Sequence, residues 1–282
     1  MEYAGVVVLY NPNKEDLINI DTYIDYLNVL YIIDNSEEKN SYMDDLKRKN
    51  KCIYISELKN LGIAKALNIA AHRAIAEGYK WLLTLDQDTR LNKNVFLTVS
   101  QYIEENDCSK IGIVCPWHNT KLLDKKPMQK VDHPLDVMTS GNFVNLEIYS
   151  KIKGYKDWLF IDGVDIEYCL NLKKNGYKIS RLNNIQIDHD LGNIVIKKFF
   201  WRTFMCTNHN YLRNYYMQRN YRYIRDMYSD IEPEFCNTLV KIKQISFKII
   251  MFEKDKYRKL RNIYRGIKDY KNGIKGPYRY SD

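Results

Sequence analysis

The chain of 282 residues is long enough to bury a substantial core, as one large domain or as a domain with an appendage. Residues 197–282 hold 20 basic and 8 acidic side chains against 24 and 27 in residues 1–196, so the whole net charge of +9 comes from the last third, which points to an anionic surface as its partner. No apolar run approaches the ~18 residues of a membrane-spanning helix, the opening MEYAGVVVLYNPNKED lacks the basic start of a signal peptide, and six cysteines without CxxC or metal spacing are expected as cytosolic free thiols.

In chain order, GVVVLY (5–10) and NVLYIIDNS (28–36) read as buried strands that end in polar turns, and KCIYIS (51–56) reads as a third strand. IAKALNIAAHRAIAEGY (63–79) predicts a helix, with small apolar residues at steps of three and four and Gly78 at its end. KWLLTLD (80–86) returns as a strand. This alternation implies a parallel sheet with helices on its faces, and such sheets bind ligands off the carboxyl ends of their strands. Asn11, the run Asp34–Ser36 and the pair Asp86 and Asp88 all sit at those ends. KIGIVCP (110–116) and VMTSGNFVNL (137–146) predict further strands, VDIEYCLNLKKNGY (164–177) an amphipathic helix, and KISRLNNIQIDHDLG (178–192) a strand with a polar loop. From residue 197 the pattern predicts long helices rich in Tyr, Arg and Lys.

LLTLDQDTRL (82–91) places two carboxylates one residue apart at a strand end, both on one side if the chain stays extended. The pair reads either as a divalent-cation site or as a solvated turn that caps the next helix. A hard cation such as Mg²⁺ takes carboxylate and phosphate oxygens together, so a metal-bridged nucleoside diphosphate suits the pair. In that reading Asp34 accepts from a base N–H, Asp86 holds ribose hydroxyls and Asp88 holds the metal. The plainer role for Asp34 is a turn residue. Asn60 and Gly62 precede a helix whose first turn carries Lys65, which suits phosphate as well as it suits an ordinary helix entry. FIDGVDIEYCL (160–170) sets Asp162, Asp165 and Glu167 around a helix start beside Trp158. Helix dipoles favour acids there, yet three carboxylates exceed what capping needs, and one can serve as a general base. His189 in IDHDLG can reach a metal or a diphosphate, or be structural.

VVVLYNP, IIDNS, NLGIAKALNIA, LLTLDQD, SGNFVNLEIYSKIKGYKDWLFIDGVDIEYCL, IDHDLG and RNYYMQRN resemble, in that order, the family 2 inverting glycosyltransferases. Within that family they are most similar to bacterial rhamnosyltransferases of O-antigen and capsule synthesis, over nearly the whole chain. The resemblance implies an α/β GT-A fold: a Rossmann-like, parallel-strand nucleotide-binding half and an acceptor half, here residues 1–196, followed by a basic helical region over 197–282. It also implies that Asp88 binds Mg²⁺ or Mn²⁺ with His189 near metal or diphosphate. Asp34 would contact the base and Asp165 would be the general base, with Asp162 a second candidate. Trp158 and Glu167 are the acceptor-side candidates. Val164 stands where relatives carry Glu, and Asn171 where they often carry Arg. The implied partners are a nucleotide-sugar donor, dTDP-rhamnose foremost, and a glycan or lipid-linked acceptor.

The basic third offers two readings at each of its motifs. The aromatic and Arg interleaving of 199–228 suits either nucleic-acid stacking or a helix packed on the catalytic domain. The resemblance sets RNYYMQRN beside the active site, which makes Arg219 a candidate diphosphate or acceptor contact and leaves no nucleic acid expected. Over 238–271, Leu239, Ile242, Ile245, Ile249 and Phe252 fall at helical steps among lysines, as in a helix docked on the core or one lying on an anionic leaflet. The expected location is therefore cytoplasmic, with peripheral attachment to the inner membrane face as an option.

Overall fold

A computed structural model describes residues 1–40, 49–120, 127–188 and 194–280. It divides into two compact units: Met1–Asp157 with Asp165–His189, and Trp158–Val164 with Asp190–Asp282. The sequence boundary at 196 falls near the last of the three breaks, but the short stretch 158–164 belongs with the basic unit, which sequence alone did not indicate.

The first unit is built on strands β1 (Ala4–Leu9), β2 (Val29–Asp34), β3 (Cys52–Ser56), β4 (Trp81–Asp86), β5 (Ile111–Asn119), β6 (Val131–Asp132), β7 (Asn142–Asn145) and β8 (Lys178–Asp188). Among the described residues they form one sheet in the order β3-β2-β1-β4-β7-β5-β8-β6. β3, β2, β1 and β4 are mutually parallel, β7 runs against β4 and β5, and β5 pairs parallel with β8. Val6, Val7, Leu30, Ile32, Leu83 and Leu85 are buried, as strands covered on both faces require. The helices of this unit are α1 (Lys14–Asp21), α2 (Ile63–Ala76), α3 (Lys93–Glu105), α4 (Leu146–Lys151) and α5 (Val164–Lys174). α2 buries Ala64, Ala66, Ala70, Ala71 and Ala74, whose small side chains let the helix lie close to the sheet. The strand expected over 137–146 is shorter, because Asn145 accepts the amides of Glu147 and Ile148 and so starts α4.

The second unit departs further from expectation. Before any helix comes a hairpin, β9 (Val195–Phe199) and β10 (Arg202–Cys206), paired antiparallel. The helices follow as α6 (Tyr211–Tyr228), capped by Asn210, then α7 (Pro233–Leu239), α8 (Ile242–Phe252) and α9 (Lys256–Lys271). The apolar periodicity over 238–271 is thus broken twice. At the second break Asp255 takes a left-handed φ of 54°, and Lys259 reaches back to Glu253 at 2.8 Å in a buried ion pair. α9 crosses α6 at Gly266, where a Cβ would lie 2.4 Å from the Tyr215 carbonyl oxygen, so no larger residue fits that approach.

Candidate active site

Three parallel strands bring the first group of predicted residues to one edge. Leu9 pairs with Asp34 and Val8 with Asp86, so β2, β1 and β4 end side by side. Asn11, at φ 48°, donates its amide to the Ser36 hydroxyl at 2.8 Å and joins the first two ends. Asp34 is almost wholly buried. One carboxylate oxygen accepts the Ser36 amide at 2.9 Å, and the other accepts the Tyr54 hydroxyl at 2.6 Å. These contacts support the plainer role of a turn anchor. Tyr54 was missed in the sequence; its signal was its position on the neighbouring strand, two residues before Ser56, which pairs with Asp34.

Asp86 and Asp88 do not continue an extended chain. The Thr89 amide bonds back to the Asp86 carbonyl at 3.1 Å, and the Asp86 amide donates to the Thr89 hydroxyl at 3.2 Å. A threonine therefore closes the turn that lacks Gly and Pro. Gln87 is pulled the other way: its side-chain oxygen accepts the Tyr10 amide at 2.9 Å and its carbonyl accepts from Asn19 at 3.1 Å. Asp86 is left half-buried and Asp88 exposed. The same strand end receives the 139–141 segment, where Thr84 donates to the Thr139 carbonyl at 2.6 Å and the Gly141 amide donates to the Thr84 carbonyl at 2.8 Å.

The loop before α2 belongs to this edge too, since the Leu61 amide donates to the Asn35 side chain at 3.3 Å. Asn60 accepts the Gly62 amide at 2.9 Å, and Gly62 turns the chain into α2 with φ 81°. Among the described residues no side chain caps α2, so its first amides and the positive end of its dipole can meet an anion, with Lys65 exposed in the first turn. Asp165 stands in the first turn of α5, half-buried, one oxygen accepting the Ile166 amide at 2.9 Å. α5 leads through a short turn into β8, which runs parallel to β5 and hence to β4. Its start therefore lies toward the carboxyl edge of the sheet. Glu167 is fully buried, so the acceptor contact expected of it has no surface to act through. Asn171 is also buried and donates to the Ile152 carbonyl at 3.1 Å.

In the second unit Asp162 is buried at φ 61°, between Phe160 at 68° and Gly163 at 82°. One of its oxygens takes Arg213 at 2.9 Å and 2.6 Å, while the other is buried without a hydrogen bond among the described residues. Burial pushes its pKa up against the pull of Arg213. Asn220 lies within 2.9 Å of the carbonyls of Leu159, Ile161 and Asp162 and holds this left-handed stretch in place. Arg219 corrects the sequence reading: it is wholly buried, and its guanidinium reaches the Trp158, Leu159 and Gly276 carbonyls rather than solvent. It is a brace, not a diphosphate contact. Trp158 is half-buried with the Lys275 ammonium 4.5 Å from its ring centre. His189 lies outside the described residues.

The family model Glycosyl transferase family 2 matches residues 15–166, just over half of the chain. The chain belongs to glycosyl transferase family 2. A curated relative, the dTDP-rhamnosyl transferase RfbF of Shigella flexneri, is 24% identical and aligns with 98% of each chain. Among solved structures, Staphylococcus aureus TarS 1–349 in complex with UDP-GlcNAc superposes with a TM-score of 0.58 at 12% identity, covering 100% of this chain and 94% of that one. GalNAc-T7 with UDP, GalNAc and Mn²⁺ gives 0.63 at 13% identity, covering 97% of this chain and 56% of that one. These likenesses establish the GT-A fold with added C-terminal helices, and the family makes the protein a glycosyltransferase.

The carboxylates present suit a hard divalent ion. Among the described residues no three His, Cys, Asp or Glu side chains converge as a metal cage. An Mg²⁺-like ion suits what is present, because it is held by one or two carboxylates plus substrate phosphates and keeps its waters. An exposed Asp88 beside a half-buried Asp86 offers that donor set.

Proposed function

We propose that this family 2 transferase moves L-rhamnose from dTDP-rhamnose, with inversion, onto a glycan or lipid-linked acceptor in surface-polysaccharide synthesis. The observation that carries the reading is the full-length similarity to a dTDP-rhamnosyl transferase, joined to the acidic turn and the uncapped helix start at one sheet edge. The donor diphosphate lies at the start of α2, where main-chain amides and Lys65 meet its charge. Asp34 holds the 34–36 turn against which the base rests, and Asp86 orients the ribose. Asp88, with His189, would hold Mg²⁺ or Mn²⁺. That ion supplies positive charge where the leaving diphosphate gains negative charge.

Asp165 takes the proton from the acceptor hydroxyl as its oxygen attacks C1 opposite the diphosphate. One bond forms, the C1–O bond to the diphosphate breaks, and no covalent sugar–protein species arises. Asp165 suits this role better than Asp162, because Asp162 is buried and tied to Arg213 while Asp165 is partly open. Trp158 is assigned to the acceptor side.

The test is a panel of nucleotide sugars scored by release of nucleoside diphosphate. dTDP from dTDP-rhamnose is expected, with Asp165→Asn reducing turnover by about 10³-fold or more at unchanged donor affinity. Preferred turnover of a UDP-sugar would replace the donor, and lost donor binding in the Asn variant would make Asp165 a binding residue.

A further inference from the structure

The β9–β10 hairpin carries an aromatic pair where turn chemistry calls for the opposite. Two-residue hairpin turns favour Asn-Gly and related pairs because they need a left-handed backbone. Here the turn is Phe200–Trp201, with Phe200 at φ 51°. Phe200 is 79% exposed and Trp201 86%, among the most exposed large apolar side chains of the described residues. The approach to the tip is open as well. Val195, Ile196, Lys197 and Lys198 are all exposed, so successive residues on both faces of β9 meet solvent. A bare two-stranded ribbon is marginal, and this one is held at its base, where the Phe204 ring lies 5.3 Å from Phe247 and 5.7 Å from Phe252 of α8.

α8 extends the same surface. Phe247, Ile250 and Met251 are exposed on it, with Lys241 and Lys243 exposed at its start. Lys197 of the hairpin and Lys248 of α8 both act electrostatically on the Cys206 thiol. Residues 194–206 contain no acidic side chain. The hairpin and α8 thus both carry exposed apolar side chains together with lysines.

We infer that the Phe200–Trp201 tip inserts into the headgroup layer of an anionic bilayer, with the lysines of β9 and α8 against lipid phosphates. An exposed aromatic tip with lysines on the adjoining strand suits a fluid anionic layer. Trp is at home at the interface between water and hydrocarbon, and lysines beside it add attraction to anionic lipid. No described helix is long and apolar enough to cross a membrane, so the contact is interfacial. This places the membrane contact on the hairpin and α8, not on one long amphipathic helix over 238–271. It extends the lipid-linked-acceptor option but does not depend on the donor.

The test is co-sedimentation of the full chain with vesicles of phosphatidylcholine alone or mixed with phosphatidylglycerol. The wild type should bind the mixed vesicles, lose that binding as salt rises, and show Trp201 fluorescence quenched by brominated lipid when compared with Trp201→Phe. The double variant Phe200→Ser, Trp201→Ser should partition about tenfold less or worse, with unchanged melting temperature and unchanged donor binding in the absence of vesicles. Equal partition of the variant, equal binding to neutral vesicles, or unquenched Trp201 overturns the inference. So does a wild type that ignores vesicles and self-associates through the tip. If neither protein binds donor while the vesicle results hold, the bilayer contact stands and the transferase reading fails.

Discussion

Arg219 and Asn220 both end on the main chain of residues 158–162, and that is the use the protein makes of the second half of RNYYMQRN. An arginine that braces carbonyls and one that grips a phosphate are spelled alike, because both exploit the same planar fork of donors. Only burial separates them. The carboxylates divide similarly: Asp34, Asp86, Asp88 and Asp165 were legible as acids at strand and helix ends, but the partners that set their roles, Tyr54, Gln87 and Thr89, lay in ordinary positions of the sequence. His209 gives a test at this scale. Burial, with Arg213 and Lys259 nearby, lowers its pKa from 6.5 to about 4. Between those values the unfolded chain takes up a proton that the folded protein refuses, so stability contributed by neutral His209 is lost as pH falls through the window. Asp162, whose pKa burial raises, acts in the opposite sense. His209→Gln should therefore lose less melting temperature than the wild type between pH 6.5 and about 4. Equal losses would mean that the imidazole titrates normally.

The elements that form this sheet edge could be read from sequence because their burial is local and regular. β1, β2 and β4 are continuous apolar runs that end in polar turns, and α2 repeats small residues at helical steps. The basic unit resisted the same reading. The hairpin sits in a stretch whose aromatics and lysines also suit a helix, and the break at Asp255 depends on a left-handed residue with no glycine to announce it. The α6–α9 crossing depends on a contact between residues far apart in sequence. Gly266→Ala should force the two backbones apart and lower the unfolding free energy by about 1–3 kcal/mol, the range for overpacking. Denaturant titration reads it. A loss below about 0.5 kcal/mol, the usual span of surface changes, would show that the helices separate without cost.

At the scale of the whole molecule, the two units carry different charge and different work. The first unit carries the acidic turn, the start of α2 and Asp165, the parts that the proposed transfer uses. The second carries an excess of 10 positive charges, 20 basic against 10 acidic side chains, with the brace around residues 158–162 and the exposed aromatic tip. Family membership was legible because seven short motifs keep their order along the chain, although none is specific alone. The identity of the sugar was not, because it is set by shape in the donor pocket rather than by any short motif. In the proposed reaction Asp88 would hold a divalent ion against the donor diphosphate, and the charge of that ion offsets the two carboxylates at residues 86 and 88. Calorimetric titration of the wild type and Asp88→Asn with dTDP-rhamnose, with and without Mn²⁺, tests it most directly. Binding that requires Mn²⁺ in the wild type and falls about tenfold or more in Asp88→Asn is the expected result. Donor binding of equal strength with and without the metal, unchanged by Asp88→Asn, would contradict it.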